Sequence, residues 1–239
     1  MSSMRAALLE ENQKPLSVVS DVAIESPRAG EVAVRVSNCG ARAAQLPVVL
    51  GHEAAGVVEE VGAGVTSLAR GDKVMLTPLP PCGHCYYCVR QQPTLCVDAQ
   101  NFMTGTRADG TSPLSRGGKL VYRGLGVGGF GEVTVVHANS AVKVPDDTPL
   151  DIACVIGCAV QTGVGAVLNT AKVEEGATVL VLGLGGIGLS VVQGARLAGA
   201  ARIVASDPVA ERRERAARLG ATDLVDPGAR DVVQEVHAW

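Results

Sequence analysis

Residues 178–207, TVLVLGLGGIGLSVVQGARLAGAARIVASD, carry the most informative pattern in this 239-residue chain. They begin with a continuous apolar run, Thr178–Leu182, which predicts a short strand buried on both faces of a parallel sheet. A glycine-rich turn follows directly, and Leu189–Ala198 then predicts a helix that ends at Gly199. A second apolar strand is predicted over Arg202–Ala205. Together these segments predict a βαβ unit with a glycine-rich first turn.

The glycine-rich turn has the spacing G-x-G-x-x-G, which is typical of dinucleotide-binding proteins. Gly183 permits the tight turn, Gly185 lets the backbone approach a pyrophosphate, and Gly188 lets the following helix lie close to the strand. Unpaired N–H groups at the start of that helix, together with its dipole, favour a phosphate there. We therefore predict that the cofactor contacts Gly183, Gly185, Gly186, Ile187 and Gly188. The alternative is a glycine-rich strand–helix turn that binds no ligand.

An acidic residue follows the second strand, as in dinucleotide-binding units. Asp207 lies 19 residues after Gly188, where a carboxylate accepts both ribose hydroxyls of NAD and repels the 2′-phosphate of NADP. Asp207 alone also fits an N-cap for the helix that begins near Pro208. Arg212 is close enough in sequence to contact a phosphate or a ribose, although the surrounding ERRERAAR is also typical of a solvated helix face. NAD is the predicted cofactor.

The composition argues against several classes of partner. The net charge is −3 and aromatic residues make up 3% of the chain, so neither nucleic acid nor an anionic membrane surface is expected as a partner. The N-terminal MSSMRAALLEENQ lacks the apolar core of a signal peptide. No run of about 18 apolar residues is uninterrupted. We therefore expect a cytoplasmic protein without a membrane span.

Four of the seven cysteines lie within residues 78–97. Cys82, Cys85, Cys88 and Cys96 follow the spacing C-x2-C-x2-C-x7-C, which aims four thiolates at one point and favours a metal over disulfides. Four thiolates complete a closed tetrahedral zinc site that has no open position for a substrate, so the predicted role is structural. An iron–sulfur cluster is the alternative ligand for the same residues.

The first half of the chain alternates apolar and polar residues, as half-buried strands do. A loop is predicted over Asn38–Leu46, and a loop or hairpin over the glycine- and serine-containing residues 98–131. Strands are predicted over Met4–Leu9, Leu16–Val22, Glu31–Ser37, Gly56–Val61, Lys73–Leu76, Phe130–Val136 and Ala141–Val144.

The residues between the β-rich half and the glycine-rich turn predict two helices. Asp151 or Thr148 is expected to cap a helix over Ile152–Gly157, and Gly157 is a candidate break after it. A further helix is predicted over Thr162–Asn169.

The chain continues after Asp207 in the same alternating manner. A helix is predicted over Val209–Leu219, a strand over Asp223–Val225 and a last helix over Val232–His237. With the segments before Asp207, these elements make a βαβαβ arrangement, which is one mononucleotide-binding half of a dinucleotide-binding fold.

Five features, in this order, resemble the medium-chain zinc-dependent alcohol dehydrogenases. They are Gly51-His52-Glu53, the four-cysteine lobe at 78–97, the segment GCAVQTG at 157–163, the glycine-rich turn and Asp207. The resemblance implies an α/β fold with a β-rich part, in which a GroES-like β domain precedes an incomplete Rossmann (βαβαβ) domain. The implied boundaries are 1–150 for the GroES-like catalytic domain, 151–170 for connecting helices and 171–239 for the partial NAD-binding Rossmann domain.

The same resemblance implies a second zinc site with a catalytic role. His52 and Cys158 would be zinc ligands, Glu53 would lie close to the metal, and Thr162 would lie against the nicotinamide. An open zinc site of this kind binds an alcohol and lowers the pKa of its hydroxyl, while the nicotinamide exchanges the hydride. For His52 alone, the alternative is a hydrogen-bonded histidine at the end of a strand.

Two departures from the family pattern bear on the catalytic zinc. The position of the family's first zinc-ligand cysteine falls near Arg42, and the proton-relay hydroxyl that follows it in the family has no counterpart. Cys39 is a candidate substitute if the loop shifts, Glu53 is a candidate ligand, and the alternative for Cys39 is a buried thiol at a strand end. The resemblance implies homo-oligomers that form through a strand further along the family's chain, and we expect that strand to be missing here.

These observations lead to two main hypotheses about function. The first is a zinc-dependent oxidoreductase that transfers a hydride between a primary or secondary alcohol, or a hemithioacetal, and NAD. The second is a catalytically inactive, zinc-stabilised fragment or degenerate homologue with residual nucleotide binding. A quinone-reductase-like protein without catalytic zinc would prefer NADPH, and Asp207 argues against that reading.

Overall fold

The computed structural model describes residues 2–40, 45–99 and 104–237, without the side chains of residues 38–40. The chain divides into two compact units, Met1–Cys158 and Ala159–Trp239. The first unit is mainly β-structure, and the second contains a parallel sheet with helices.

The described residues of the first unit form two sheets. The strands are β1 Ser2–Leu9, β2 Ser17–Ile24, β3 Glu31–Gly40, β4 Val48–Val49, β5 Glu53–Val61, β6 Lys73–Leu76, β7 Leu114–Arg116, β8 Lys119–Arg123, β9 Val133–His137 and β10 Ala141–Lys143. One sheet closes into a barrel in the order β1-β2-β7-β8-β4, and the other has the order β10-β6-β5-β3-β9. Short 3-10 helices cover Cys88–Arg90, Pro93–Leu95, Gly124–Gly126 and Ala138–Ser140. The hairpin β7–β8 lies within the predicted loop-or-hairpin region.

Strand β3 shows why the alternating pattern builds two cores. Val32 and Val34 are fully buried in one hydrophobic core, whereas Ala33 is buried in the other. Successive side chains of a strand point to opposite faces, so a strand between two cores buries both sets. The strand continues to Gly40, and the prediction of a loop from Asn38 was wrong, because pairing with the start of β5 extends the ladder.

A continuous helical run follows the β-structure. It consists of α1 Leu150–Val155, a π-helical segment Ile156–Val160, α2 Gln161–Gly165 and a second π-helical segment Ala166–Ala171. The predicted break at Gly157 was wrong, because the helix accommodates this glycine in a π turn instead of ending there. The predicted caps were also wrong, since Pro149 occupies the N-cap with extended backbone and no side chain caps the helix. Asp151 lies instead in the first turn, where its charge complements the helix dipole.

Among the residues that the structure describes, the helix Leu150–Ala171 is long and apolar enough to cross a membrane, with a mean hydropathy of 1.7. One such helix is weak evidence for a span, because core helices pass the same test. Ala153 and Cys154 pack in a small core beside Ala55, and Val167 belongs to the core of the second unit. Only 28% of the most apolar 18-residue window of this helix is buried, so burial alone does not assign it to a core.

The second unit has the predicted βαβαβ order. Its strands are β11 Thr178–Leu182, β12 Arg202–Ser206 and β13 Asp223–Val225, which are parallel and lie in the order β11-β12-β13. Its helices are α3 Gly186–Leu197, α4 Ala210–Leu219 and α5 Val232–His237. The core between sheet and helices includes Val181, Val192, Ile203 and Ala216.

Two predictions for this unit were wrong in detail. Strand β11 is not buried on both faces, since Leu180 and Leu182 are 39% and 69% exposed. The physical reason is that successive side chains of a strand point to opposite faces, and only the face that carries Val179 and Val181 packs in the core of this unit. Helix α3 begins at Gly186 instead of Leu189, because the second half of the glycine-rich turn is itself helical.

Candidate functional site

The glycines of the 183–188 turn differ in what the structure requires of them. Gly183 has a φ of +86°, a left-handed conformation that favours glycine. A Cβ at Gly188 would lie 1.9 Å from the carbonyl oxygen of Gly183, so this position has no room for a side chain. A Cβ at Gly185 would meet no atom within 4 Å. A depression of about 560 Å³, lined in part by Leu182 and Ile187, adjoins the turn and leaves space for a ligand.

Asp207 is held against the glycine-rich turn by backbone hydrogen bonds. The residue is 3% exposed, and the N–H groups of Leu184 and Val209 donate to Oδ2 and Oδ1, both at 2.8 Å. These two donors, with a smaller contribution from the Arg212 guanidinium 3.4 Å away, hold the pKa of Asp207 below its usual value. Oδ2 therefore accepts from the Leu184 N–H and from Nη1 of Arg212, whereas Oδ1 accepts from the Val209 N–H.

The two arginines that follow Asp207 have different surroundings. Arg213 donates to the carbonyl oxygen of Asp207 at 2.5 Å and to Oδ2 of Asp226 at 2.9 Å, and its side chain is only 15% exposed. Arg212 is 53% exposed and faces the Asp207 carboxylate. The charge pattern alone did not separate them, because both belong to the same charged run. The structure leaves Arg212 as the one of this pair that is open to a ligand.

Gly163 brings helix α2 against the glycine-rich turn. A Cβ at this position would lie 2.6 Å from the carbonyl oxygen of Ile187 and 2.8 Å from the backbone nitrogen of Val191. Thr162, the predicted nicotinamide contact, is the exposed residue next to it. The sequence prediction did not identify Gly163 as a packing residue. A glycine within a predicted helix is the available signal, because it weakens the helix unless close packing requires it.

The four cysteines predicted to bind metal lie together in the structure. Their sulfur atoms are all within 4.8 Å of one another, with Cys82 Sγ 3.9 Å from Cys88 Sγ and Cys85 Sγ 4.0 Å from Cys96 Sγ. Four sulfurs placed about 2.3 Å from a tetrahedral zinc lie about 3.8 Å apart. The observed spacing therefore fits a single zinc ion, whereas an iron–sulfur cluster holds its thiolates on several irons and needs more room.

The surroundings of the four cysteines change the pKa values of their thiols, and the Cys85 thiol becomes easier to ionise. Burial raises the pKa of Cys82 to about 12, whereas the N–H groups of Cys88 and Val97 lower the pKa of Cys85 to about 6. Four sulfurs this close do not all ionise without a positive charge between them, because like charges repel. His84 lies at the edge, 80% exposed, with Nδ1 3.0 Å from the carbonyl oxygen of Cys82.

A second group of donors consists of His52, Glu53 and Cys158. One donor atom from each lies within 4.8 Å of the others. Glu53 begins β5 directly after His52, and Cys158 lies in the first π-helical segment. Burial raises the pKa of Cys158, and the nearby charge and hydrogen bond of Glu53 raise it further. An imidazole, a carboxylate and a thiol are donors that zinc accepts, and three of them leave one position open.

Cys39 and Arg42 lie where the structure gives no side-chain description. Residues 41–44 lie outside the described residues, and the side chain of Cys39 is not described although its backbone belongs to β3. The role of Cys39 as a zinc ligand therefore stays a prediction.

The sequence matches two family profiles. Residues 21–146 match the alcohol dehydrogenase GroES-like domain, which is more than half of the chain, and residues 186–239 match the zinc-binding dehydrogenase profile. This chain belongs to the medium-chain zinc-dependent alcohol dehydrogenase family. The predicted fold class, a GroES-like β domain followed by a Rossmann-type domain, is thereby confirmed.

Several proteins of this family match nearly all of the chain. Alcohol dehydrogenase 6 of Rattus norvegicus is 39% identical over an alignment of 235 residues, and the match covers 93% of this chain and 62% of the relative. An alcohol dehydrogenase zinc-binding domain protein from Burkholderia ambifaria has a TM-score of 0.92 at 36% identity, covering 99% of this chain and 67% of that chain. A short chain alcohol dehydrogenase from E. coli, solved with NADH, has a TM-score of 0.76 at 30% identity. The match covers 100% of this chain and 66% of that chain. The chain thus spans about three fifths of the curated relative's length.

Replacing Asp207 with alanine is expected to lower the free energy of unfolding of the second unit by about 2–3 kcal/mol. The reason is that the N–H groups of Leu184 and Val209 lose a charged acceptor. Amide hydrogen exchange at Ile203 and Val204, which are buried in β12, measures the loss. Glu211→Ala, which removes an exposed carboxylate on α4, is the matched control and should change exchange little. Equal effects of the two substitutions would contradict the assigned role of Asp207.

Proposed function

We propose that this chain carries the metal and nucleotide sites of an NAD-dependent zinc alcohol dehydrogenase, which transfers a hydride between a primary or secondary alcohol, or a hemithioacetal, and NAD. The observation that carries the proposal is the grouping of His52, Glu53 and Cys158, whose donor atoms lie within 4.8 Å of one another. The small-molecule partner is an alcohol or an aldehyde, and the cytoplasm is the expected location. The family match favours this function over a degenerate homologue without activity.

The His52–Glu53–Cys158 group would hold the catalytic zinc. His52 would bind through a ring nitrogen, Cys158 through its thiolate, and Glu53 either binds directly or lies beside the metal. When bound, zinc supplies a Lewis acid that lowers the pKa of an alcohol and polarises a carbonyl. Cys158 must lose its proton to bind, and the raised pKa of the metal-free thiol means that zinc competes with a proton there.

The nucleotide would bind along the 183–188 turn. Gly185 leaves the backbone open to a pyrophosphate, and the start of α3 offers N–H groups and the positive end of its dipole. Asp207 would accept the ribose hydroxyls and reject a 2′-phosphate, with Arg212 nearby. Thr162 would contact the nicotinamide. NADH is therefore expected to bind more tightly than NADPH.

The four-cysteine cluster would hold a second, structural zinc. Cys82, Cys85, Cys88 and Cys96 supply four sulfurs at the spacing of a tetrahedral site and leave no position for a substrate. Its role would be to fix residues 78–97 as a folded lobe.

Metal analysis together with NADH titration tests the proposed function. We expect two zinc ions per chain, one zinc ion in His52→Ala, and heat release on titration with NADH that Asp207→Ala weakens. His84→Ala is the matched control, since this histidine is 80% exposed, and it should retain both ions. NAD-dependent oxidation of ethanol or hydroxymethylglutathione would then identify the substrate class. One zinc ion in the unmodified chain, no heat with NADH and no oxidation of any alcohol would favour the inactive homologue.

A further inference from the structure

Gly157 lies where the helix that carries Cys158 meets strand β6. A Cβ at Gly157 would lie 2.0 Å from the carbonyl oxygen of Leu76 and 2.9 Å from its carbonyl carbon. The backbone φ of Gly157 is not in the left-handed region, so the position requires glycine for space and not for conformation. The helix backbone therefore rests directly on the backbone of Leu76.

Strand β6 has little freedom to move away from an added side chain. Val74 and Leu76 are fully buried, and β6 is paired with β5 on one side and β10 on the other. The N–H of Thr77 donates to the carbonyl oxygen of Ser140 at 2.8 Å, which fixes the peptide next to the contact. Any relief of the clash must therefore come from the helix. Since Cβ atoms are not found within 3.0 Å of another heavy atom, the required shift is about 1 Å.

The beginning of the helix is anchored, so this shift falls on the π-helical segment. Ala153 and Cys154 pack against Ala55 of β5 and are buried. Cys158 follows Gly157 directly, and its sulfur faces the donors of His52 and Glu53. Metal–donor distances tolerate deviations of only about 0.2 Å. A shift of about 1 Å at Gly157 is therefore several times larger than the deviation that a metal–donor distance tolerates.

We propose that Gly157 is a positioning residue for the metal site: its backbone contact with Leu76 sets the place of the Cys158 sulfur relative to His52 and Glu53. The inference rests on the proposed metal-binding role of these three residues. Gly157 itself has no side chain to offer a metal or a substrate, so it acts only through Cys158.

Metal loading of Gly157→Ala tests the proposal. We expect the zinc affinity of the His52–Glu53–Cys158 site to fall by about tenfold or more, as for other residues that orient metal ligands. The four-cysteine cluster should keep its zinc and serves as an internal reference. With Co²⁺ in place of zinc, the thiolate-to-metal absorption of the second site should weaken or shift. Gly165→Ala is the matched control in the same helical run, because the nearest atom to its added Cβ is Asn169 Nδ2 at 3.8 Å.

Cys158→Ala separates the positioning role from the metal site itself. If Cys158→Ala keeps the second metal with unchanged affinity, the proposed metal site fails. If Cys158→Ala loses that metal while Gly157→Ala binds like the unmodified chain, the positioning role is overturned and the metal site stands. Amide exchange at Val74 and Leu76 monitors folding. A Gly157→Ala chain that loses this protection in zinc-saturated buffer would also overturn the proposal, because the glycine would then serve the packing of the whole unit.

Discussion

Replacing Arg107 with methionine is expected to lower the free energy of unfolding of the first unit by about 3 kcal/mol, because a buried carboxylate loses its main partner. Nε and Nη2 of Arg107 donate to the two carboxylate oxygens of Glu31 at 2.7 and 2.9 Å, and Nη1 donates to Glu25 at 2.9 Å. The side chains of Arg107 and Glu31 are only 9% and 10% exposed. Breaking a buried pair from one side costs about 3–5 kcal/mol. We expect the lower end, since the N–H of Arg28 still donates to Glu31.

The cost of Arg107→Met should shrink in acid. Burial by itself raises the pKa of Glu31, but the hydrogen bonds from Arg107 and from the N–H of Arg28 lower it on balance below its ordinary value of 4.5. A carboxyl group whose pKa is lowered in the folded state stabilises the protein above its unfolded pKa, and this contribution is lost as the pH falls through the folded pKa. The unmodified chain therefore loses this stabilisation in acid, and the two proteins converge.

Amide hydrogen exchange at Val32 and Val34 measures the effect, because both residues are fully buried in β3. Arg35→Met is the matched control. Arg35 pairs with Glu59 at 2.6 Å but is 60% exposed, so its loss should cost less than about 1 kcal/mol. Equal losses in the two variants, or a loss for Arg107→Met that does not depend on pH, would contradict the role of the buried pair.

Removing the metal from the four-cysteine lobe is expected to unfold residues 81–95 and to raise tryptic cleavage after Arg90 about a hundredfold or more. These residues include no buried residue, and Tyr86 and Val89 are each 62% exposed. No hydrophobic core therefore holds this segment in place. Thiolate zinc sites contribute about 10 kcal/mol or more of folding free energy, which explains how such a segment remains ordered.

Time courses of trypsin digestion, read by mass spectrometry, measure this effect in three samples: the metal-loaded chain, the same chain with a chelator, and Cys88→Ser. His84→Ala is the control and should remain protected, since this side chain is 80% exposed and the four sulfurs are unchanged. The fully buried Val32 and Val34 should keep slow amide exchange in every sample, because their core lies in the β-sheets. If the rate of cleavage after Arg90 is the same with and without the chelator, the lobe does not depend on a structural metal. Iron in place of zinc would support the iron–sulfur alternative.

Local sequence patterns were sufficient to predict those strands and helices whose signals lie within a few neighbouring residues. The bounds of Lys73–Leu76, Thr178–Leu182, Asp223–Val225 and Val232–His237 agree between prediction and structure. Alternation, apolar runs and glycine stops arise from backbone geometry, so the residues of one segment specify them. The cysteine spacing of the lobe belongs to the same class, because short knuckles bring their own sulfurs together.

Burial, capping and the start of helix α3 depended on distant parts of the chain. The sequence of β11 does not reveal that Leu182 is 69% exposed, because exposure depends on which elements lie beside the strand. Pro149 occupies the N-cap position of α1, where Asp151 or Thr148 was expected, and α3 begins within the glycine-rich turn. In each of these three cases the residues of the segment itself favoured a different result, and packing against the rest of the chain decided the outcome.

The amino-acid sequence by itself determined the family, the order of a β-rich part and a βαβαβ part, and the residue types that can bind zinc and a dinucleotide. Only the tertiary structure decided which of these residues meet. It brings Cys158 to His52 and Glu53 although they are more than 100 residues apart, joins Asp207 to the N–H of Leu184, and rests Gly157 on Leu76. These contacts depend on how strands and helices pack, and packing involves distances between segments that no local pattern encodes.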